Sequence, residues 1–214
     1  IVPHSKYIVS YGDMDPAQAA PYACSGLTAF SALKKIPLTS KDDWIIIIGA
    51  GGVGINGILL SPAIHKAKIL VIDNDPDKRK KAIEAGANEA FSPDNETEIR
   101  NKIGIGASAA IDFVGRPETT DLGLSLVKKG GMVIVVGLYG GSLKLSLPLV
   151  PMKSMTLRGS YVGELKELKE LVNIIKSGKI KLIPVKKQGL ETANQAMSDL
   201  RSGKVNGRIV LIPN

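Results

Sequence analysis

Two kinds of hydrophobic run alternate along this chain. The first kind is short and almost wholly apolar: Ile45-Ile46-Ile47-Ile48, Ile69-Leu70-Val71-Ile72, Ala109 to Val114 with Asp112 inside it, and Met132 to Val136. Such runs predict strands buried on both faces, as in a parallel sheet covered by helices. The second kind is longer and amphipathic. Residues 166–177 are the clearest case, with Leu165, Leu168, Leu171, Val172 and Ile175 on one face. The same reading predicts helices at 17–23, 26–35, 55–66, 77–85, 96–103, 118–127 and 191–201, and further strands at 7–9, 90–91, 154–162 and 208–212. Asp15 before Pro16 suits a helix start, and Gly86 a helix end. Pro62 should kink or shorten the helix over 55–66. The sum is an α/β fold: a doubly wound parallel sheet of the Rossmann type, about six strands, with short N- and C-terminal tails.

The first apolar run leads into Gly49-Ala50-Gly51-Gly52-Val53-Gly54, which fits G-x-G-x-x-G, and the run ending at Ile72 is followed by Asp73. Strand, glycine turn, helix, strand and acid together predict a dinucleotide site. Gly49 allows a sharp turn, Gly51 a close approach of backbone to pyrophosphate, and Gly54 close packing of the helix. The first amides of the helix, from Gly52 and Val53, would face the phosphates. Asp73 falls 19 residues after Gly54, where a carboxylate can accept both hydroxyls of an adenosine ribose, with Asn74 beside it. A carboxylate there repels a 2′-phosphate, so NAD is expected rather than NADP. The other reading is a glycine turn that only joins strand to helix.

Composition narrows the class. With 214 residues, 44% hydrophobic and 22% charged, the chain is an ordinary globular protein. Its net charge of +8 comes from lysines spread over helix faces and loops, without interleaved aromatics, so no nucleic-acid partner is expected. No apolar stretch reaches transmembrane length, so no membrane partner is expected either. A single cysteine points to a cytoplasmic protein without a disulfide framework. The chain begins Ile1-Val2-Pro3-His4 without an initiator Met, so it is expected to start inside a longer parent or after processing.

Several segments resemble the zinc-dependent medium-chain alcohol dehydrogenases. They are Tyr22 to Lys35 with Cys24-Ser25-Gly26-Leu27-Thr28, Gly49–Gly54, Asp73 with Lys78, Ala85-Gly86-Ala87, Val135-Val136-Gly137 and Asn206-Gly207-Arg208. Ile1 to Tyr7 is similar to the segment entering that family's cofactor domain. The resemblance implies residues 1–35 as a hinge segment, 36–180 as the NAD-binding Rossmann domain and 181–214 as a return to a GroES-like catalytic domain expected before Ile1. It implies Cys24 as one zinc ligand, Thr28 as the threonine facing nicotinamide, Lys78 at the adenosine ribose and Arg208 at the pyrophosphate. Phe113, Val114, Gly137 and Leu138, at the carboxyl ends of strands, should line the nicotinamide side. For Cys24 a small buried thiol is the other reading. For Thr28 it is a helix residue bonded to its own backbone, for Lys78 an exposed helix lysine, and for Arg208 a solvated arginine. His4 and His65 match no catalytic position.

The implied parent enzyme interconverts alcohols with aldehydes or ketones by hydride transfer, using NAD and a catalytic zinc. This chain, carrying one zinc ligand, is expected to bind NAD(H) without oxidising alcohol and to hold no zinc by itself. Similarity of Thr156–Val162 to the family's pairing edge strand implies a homodimer or homotetramer. Two alternatives stay open: a non-catalytic dinucleotide-binding or oligomerisation module, and a zinc-free quinone or enone reductase of the same superfamily.

Overall fold

The computed structural model describes residues 4–213. Strand β1 (Trp44–Ile48) lies at its centre, and its isoleucines alternate between two cores. Ile45 and Ile47 join one with Leu33, Ile58, Val71 and Leu171. Ile46 and Ile48 join the other with Leu70, Ile72, Ile99 and Leu126. Each such side chain, fully buried, contributes about 1.5–3 kcal/mol. An apolar run without alternation is therefore what a strand between two helical layers needs.

Among the described residues, six parallel strands form the main sheet in the order β3-β2-β1-β4-β5-β6. The others are β2 (Lys68–Ile72), β3 (Glu89–Phe91), β4 (Ala107–Asp112), β5 (Val127–Val135) and β6 (Thr156–Gly159). On one face lie α2 (Ser25–Lys34), α3 (Gly52–Leu60), α4 (Pro76–Ala85) and α8 (Leu165–Lys176). On the other lie α5 (Glu96–Ile103), α6 (Pro117–Leu126) and α7 (Leu149–Lys153). Helix α1 (Pro16–Ala19) precedes them, capped by the Asp15 carboxylate, which accepts from Gln18 N at 3.1 Å. A separate parallel pair, β7 (Val185–Gly189) and β8 (Arg208–Ile212), is joined through α9 (Ala193–Arg201). It packs against α1 and residues 20–23. Among the described residues, no helix is long and apolar enough to cross a membrane.

Four expectations need correction. Residues 7–9 form no strand; Ser5–Tyr7 is a 3-10 turn, capped by His4 Nδ1, which accepts from Lys6 N at 3.0 Å. Ile1 to Pro3 lie outside the described residues. The helix expected to reach residue 66 ends at Leu60, and Pro62 sits in a 3-10 turn, Ser61–Ala63. Proline has no N–H for the next helical bond, so the chain tightens and exits there. The exit delivers His65 to the Leu33 carbonyl, 2.9 Å from Nε2. Strand β5 begins at Val127, because Gly130 (φ 76) and Gly131 form an irregularity within it and do not end α6. Strand β6 is only four residues long, with left-handed Ser154 before it and Val162 after it.

At the amino end of the sheet, Asp43 ties three strands together. Its carboxylate accepts from Lys128 Nζ at 2.7 Å, from the Ser108 hydroxyl, and from Ser40 N at 2.8 Å. The Lys128 ammonium and these donors hold its carboxyl well below the usual carboxylate range.

Candidate functional site

Strands β1 and β4 are neighbours, yet the winding runs from β1 toward β3 and from β4 toward β6. A crevice opens outside the carboxyl ends at such a reversal. The glycine turn after β1 and the loop after β4 meet there. Gly49 leaves β1 at φ 92, and a methyl added to it would lie 2.8 Å from Val114 Cγ2. Gly51, at the N-cap of α3, is exposed, and nothing lies within 4 Å of where its side chain would begin. The backbone is bare on that side, and the first amides of α3 lack helical partners. At Gly54 an added methyl would come 1.8 Å from the Gly49 carbonyl oxygen, so α3 rests directly on the turn.

Asp73 closes β2 and is buried, with 9% of its surface exposed. One carboxylate oxygen accepts from Ala50 N at 2.7 Å and the other from Asp75 N at 2.9 Å. The acid thus ties the end of β2 to the glycine turn, while further lone pairs on each oxygen stay available. Asn74 is exposed, and Arg79 Nη1 donates to the carbonyls of Asp73 and Asn74 at 2.8 and 2.9 Å. Lys78 is half-buried, 4.0 Å from Asp75 Oδ2. It borders a cleft of about 320 Å³ together with Ala50, Ile55, Lys81, Lys181 and Gly207.

The loops after β4 and β5 interlock. Methyls added at Gly115 (φ 75) or Gly137 would each lie 2.0 Å from the other loop's backbone. Phe113 turns its ring onto α3 beside Gly57, and Leu138 points outward, 79% exposed. The buried acid Asp112 holds this arrangement. Its Oδ1 accepts from Val114 N and Gly115 N, both at 2.9 Å; its Oδ2 accepts from Thr119 and Thr120 hydroxyls at 2.8 and 2.7 Å. Sequence reasoning passed over Asp112; a lone acid inside an otherwise apolar run was the signal for it.

Arg208 comes from the far end of the chain. A methyl at Gly52 would lie 3.0 Å from Arg208 Nη1 and 2.8 Å from the Gly207 carbonyl oxygen, so the guanidinium lies over the start of α3. Gly207 takes φ 74 with no room for a side chain against Pro184, and Arg208 N donates to Pro184 O at 2.9 Å. Burial lowers the guanidinium pKa, and nearby Cys24 partly offsets this. Cys24 is exposed at the start of α2, and Thr28, one turn on, is half-buried. The structure therefore brings the turn Gly49–Gly54 against Asp73, Val114 and Arg208, with Phe113 packed on α3 and Gly137 against the loop after β4. His65 is buried against Leu33 and His4 is exposed.

Residues 52–177 match the family model described as zinc-binding dehydrogenase. The chain belongs to this family. It is 36% identical over 214 residues to an NAD-dependent alcohol dehydrogenase of Sulfolobus acidocaldarius, covering 99% of this chain and 62% of that protein. It is 34% identical over 220 residues to D-arabinose 1-dehydrogenase (NADP(+)) of Saccharolobus solfataricus, covering 100% and 62%. The crystal structure of the alcohol dehydrogenase from Aeropyrum pernix superposes with a TM-score of 0.87 at 32% identity, over 94% of this chain and 60% of that one. The chain thus spans about 62% of the length of the curated relatives it matches.

The family's description names zinc, and a catalytic zinc needs three protein ligands. Among the described residues no group of three His, Cys, Asp or Glu comes together to hold a metal ion. They offer one exposed sulfur, Cys24, and no complete centre.

Proposed function

We propose that this chain is the NAD(H)-binding portion of a zinc-dependent alcohol dehydrogenase, which interconverts alcohols and aldehydes or ketones by hydride transfer. One observation carries the reading: the bare backbone at Gly51 lies beside an arginine placed over the first residue of α3, with a buried acid closing the next strand. An anion on the α3 amides meets the positive end of the helix and a guanidinium at once. The residues fit a dinucleotide.

In this reading the amides of Gly52 and Val53 and the Arg208 guanidinium hold the diphosphate. Asp73 accepts from the adenosine ribose, with Asn74 and Lys78 beside it. Thr28, Phe113, Val114, Gly137 and Leu138 border the nicotinamide and keep water from one of its faces. NAD supplies the hydride acceptor. Cys24 is one sulfur ligand of the whole enzyme's zinc. Among the described residues no further ligand joins it, so in this reading the chain by itself binds coenzyme without turning over alcohol.

Calorimetric titration with NADH and NADPH tests this. Binding of NADH in preference to NADPH is expected. A preference for NADPH would favour the chemistry named for the D-arabinose relative and remove the argument from Asp73. Robust alcohol oxidation by this chain with added zinc would contradict the proposed division of labour.

Residues 36–180 form the coenzyme domain in this reading, and 1–35 and 181–214 are its tails. The tails bind each other: Lys187 pairs with Asp15 at 2.6 Å, and Ile183 N donates to Tyr22 OH at 3.0 Å. We also infer a homodimer or homotetramer, assembled in the cytoplasm. The support is the open edge of β6, where Leu157 is exposed, together with exposed Leu138 and Tyr139 after β5 and Met152 on α7, and the sparing use of cysteine.

A further inference from the structure

Arg208 is held in place by a hydroxyl to which the sequence reading assigned no role. Ser25 lies next to Cys24 at the start of α2 and is 1% exposed. Its Oγ donates to the Pro21 carbonyl at 2.9 Å. The same oxygen accepts from Arg208 Nε at 3.1 Å and from Asn56 Nδ2 at 3.2 Å. A serine hydroxyl offers one donor and two acceptor sites, so all of it is in use.

Asn56, on α3, has no exposed surface. Its amide nitrogen also donates to the Gly52 carbonyl at 3.0 Å, which fixes the orientation of the side chain. Among the described residues its Oδ1 has no hydrogen-bond partner. An unpaired buried acceptor is costly, and an apolar residue of similar size would avoid that cost. What Asn56 supplies instead is a donor that holds the Ser25 oxygen against α3. With Nε tied to that oxygen the guanidinium plane is fixed, and Nη1 lies over Gly52.

We propose that Ser25 and Asn56 are positioning residues that preorganise Arg208 for the diphosphate and couple it to the loop carrying Cys24. This rests on the reading that Arg208 meets the diphosphate. A preset fork loses less side-chain freedom when the anion arrives, which raises affinity without a new contact to the ligand.

The test is a double-mutant cycle on NADH affinity, read by calorimetry or, for weak variants, by amide NMR. Arg208→Gln is expected to weaken NADH roughly thirtyfold. Ser25→Ala is expected to weaken it roughly tenfold in the native background and less than about twofold beside Arg208→Gln. Asn56→Leu is expected to behave like a milder Ser25→Ala. Equal losses from Ser25→Ala in both backgrounds, or no loss in the native one, would overturn the positioning role. Failure of the native chain to bind NADH, or native affinity in Arg208→Gln, would overturn the underlying reading of Arg208 instead.

Discussion

Asp73 has two tasks that draw on the same oxygens. It braces the glycine turn through Ala50, and in the proposed complex it accepts from ribose hydroxyls. Asp73→Asn keeps the shape and removes the charge. We expect NADH affinity to fall about tenfold and the gap to NADPH to close, with a lower melting temperature because the bond to Ala50 weakens. Titration with both coenzymes checks the first part and calorimetric melting the second. Asp112 is different, since its four donors come from this chain. Asp112→Ala should cost about 3 kcal/mol in urea unfolding, because two amides and two hydroxyls lose their acceptor. Asp43 lies at the other end of the sheet and should matter for stability alone. Its carboxyl titrates lower folded than unfolded, so its contribution is present above the unfolded value of about 3.9 and is lost as pH falls through the folded one. Asp43→Asn should cost about 1.5–3 kcal/mol at neutral pH. That deficit should shrink in urea titrations carried out below pH 4, with coenzyme affinity unchanged at pH 7.

At the scale of elements, the unit β1–turn–α3 separates folding from binding within six residues. Gly51→Ala meets open space and should cost no more than about 1 kcal/mol while strongly weakening NADH. Gly54→Ala drives a methyl into the Gly49 carbonyl and should cost more than about 3 kcal/mol. Equal effects on unfolding and on titration would contradict this division. The unit was legible in the sequence because its signals are local: four isoleucines, a glycine spacing, an acid after the next strand. The cap at Asp15 and the left-handed Gly86 were legible for the same reason. The irregularity in β5 was not, because two glycines after a helix read as its end until the pairing with β4 is known. Nor was the Ser25–Arg208 bond, which joins residues 183 positions apart and involves a serine that carried no assigned role within its motif.

On the scale of the whole molecule, segments from opposite ends of the chain converge on the proposed coenzyme crevice. One carries Cys24 and Thr28, the other Arg208, and the bonds from residues 183 and 187 to α1 and Tyr22 hold them together. The family resemblance followed from the order and spacing of several motifs, each individually weak. The shape of the edge at β6 follows only from the sheet order. If that edge pairs two copies, sedimentation should give a dimer or tetramer, and Leu157→Asp should shift it to monomer; a native chain that runs as a clean monomer would exclude this assembly. The central claim is more local: a dinucleotide lies across the glycine turn, between Asp73 and Arg208. Amide chemical-shift mapping during an NADH titration tests it most directly. The largest changes should fall on Gly51, Gly52, Val53, Asp73 and Arg208, with weaker ones at 113–115 and 136–138. Saturating NADH that leaves those amides unmoved, or moves only a different surface, would contradict it.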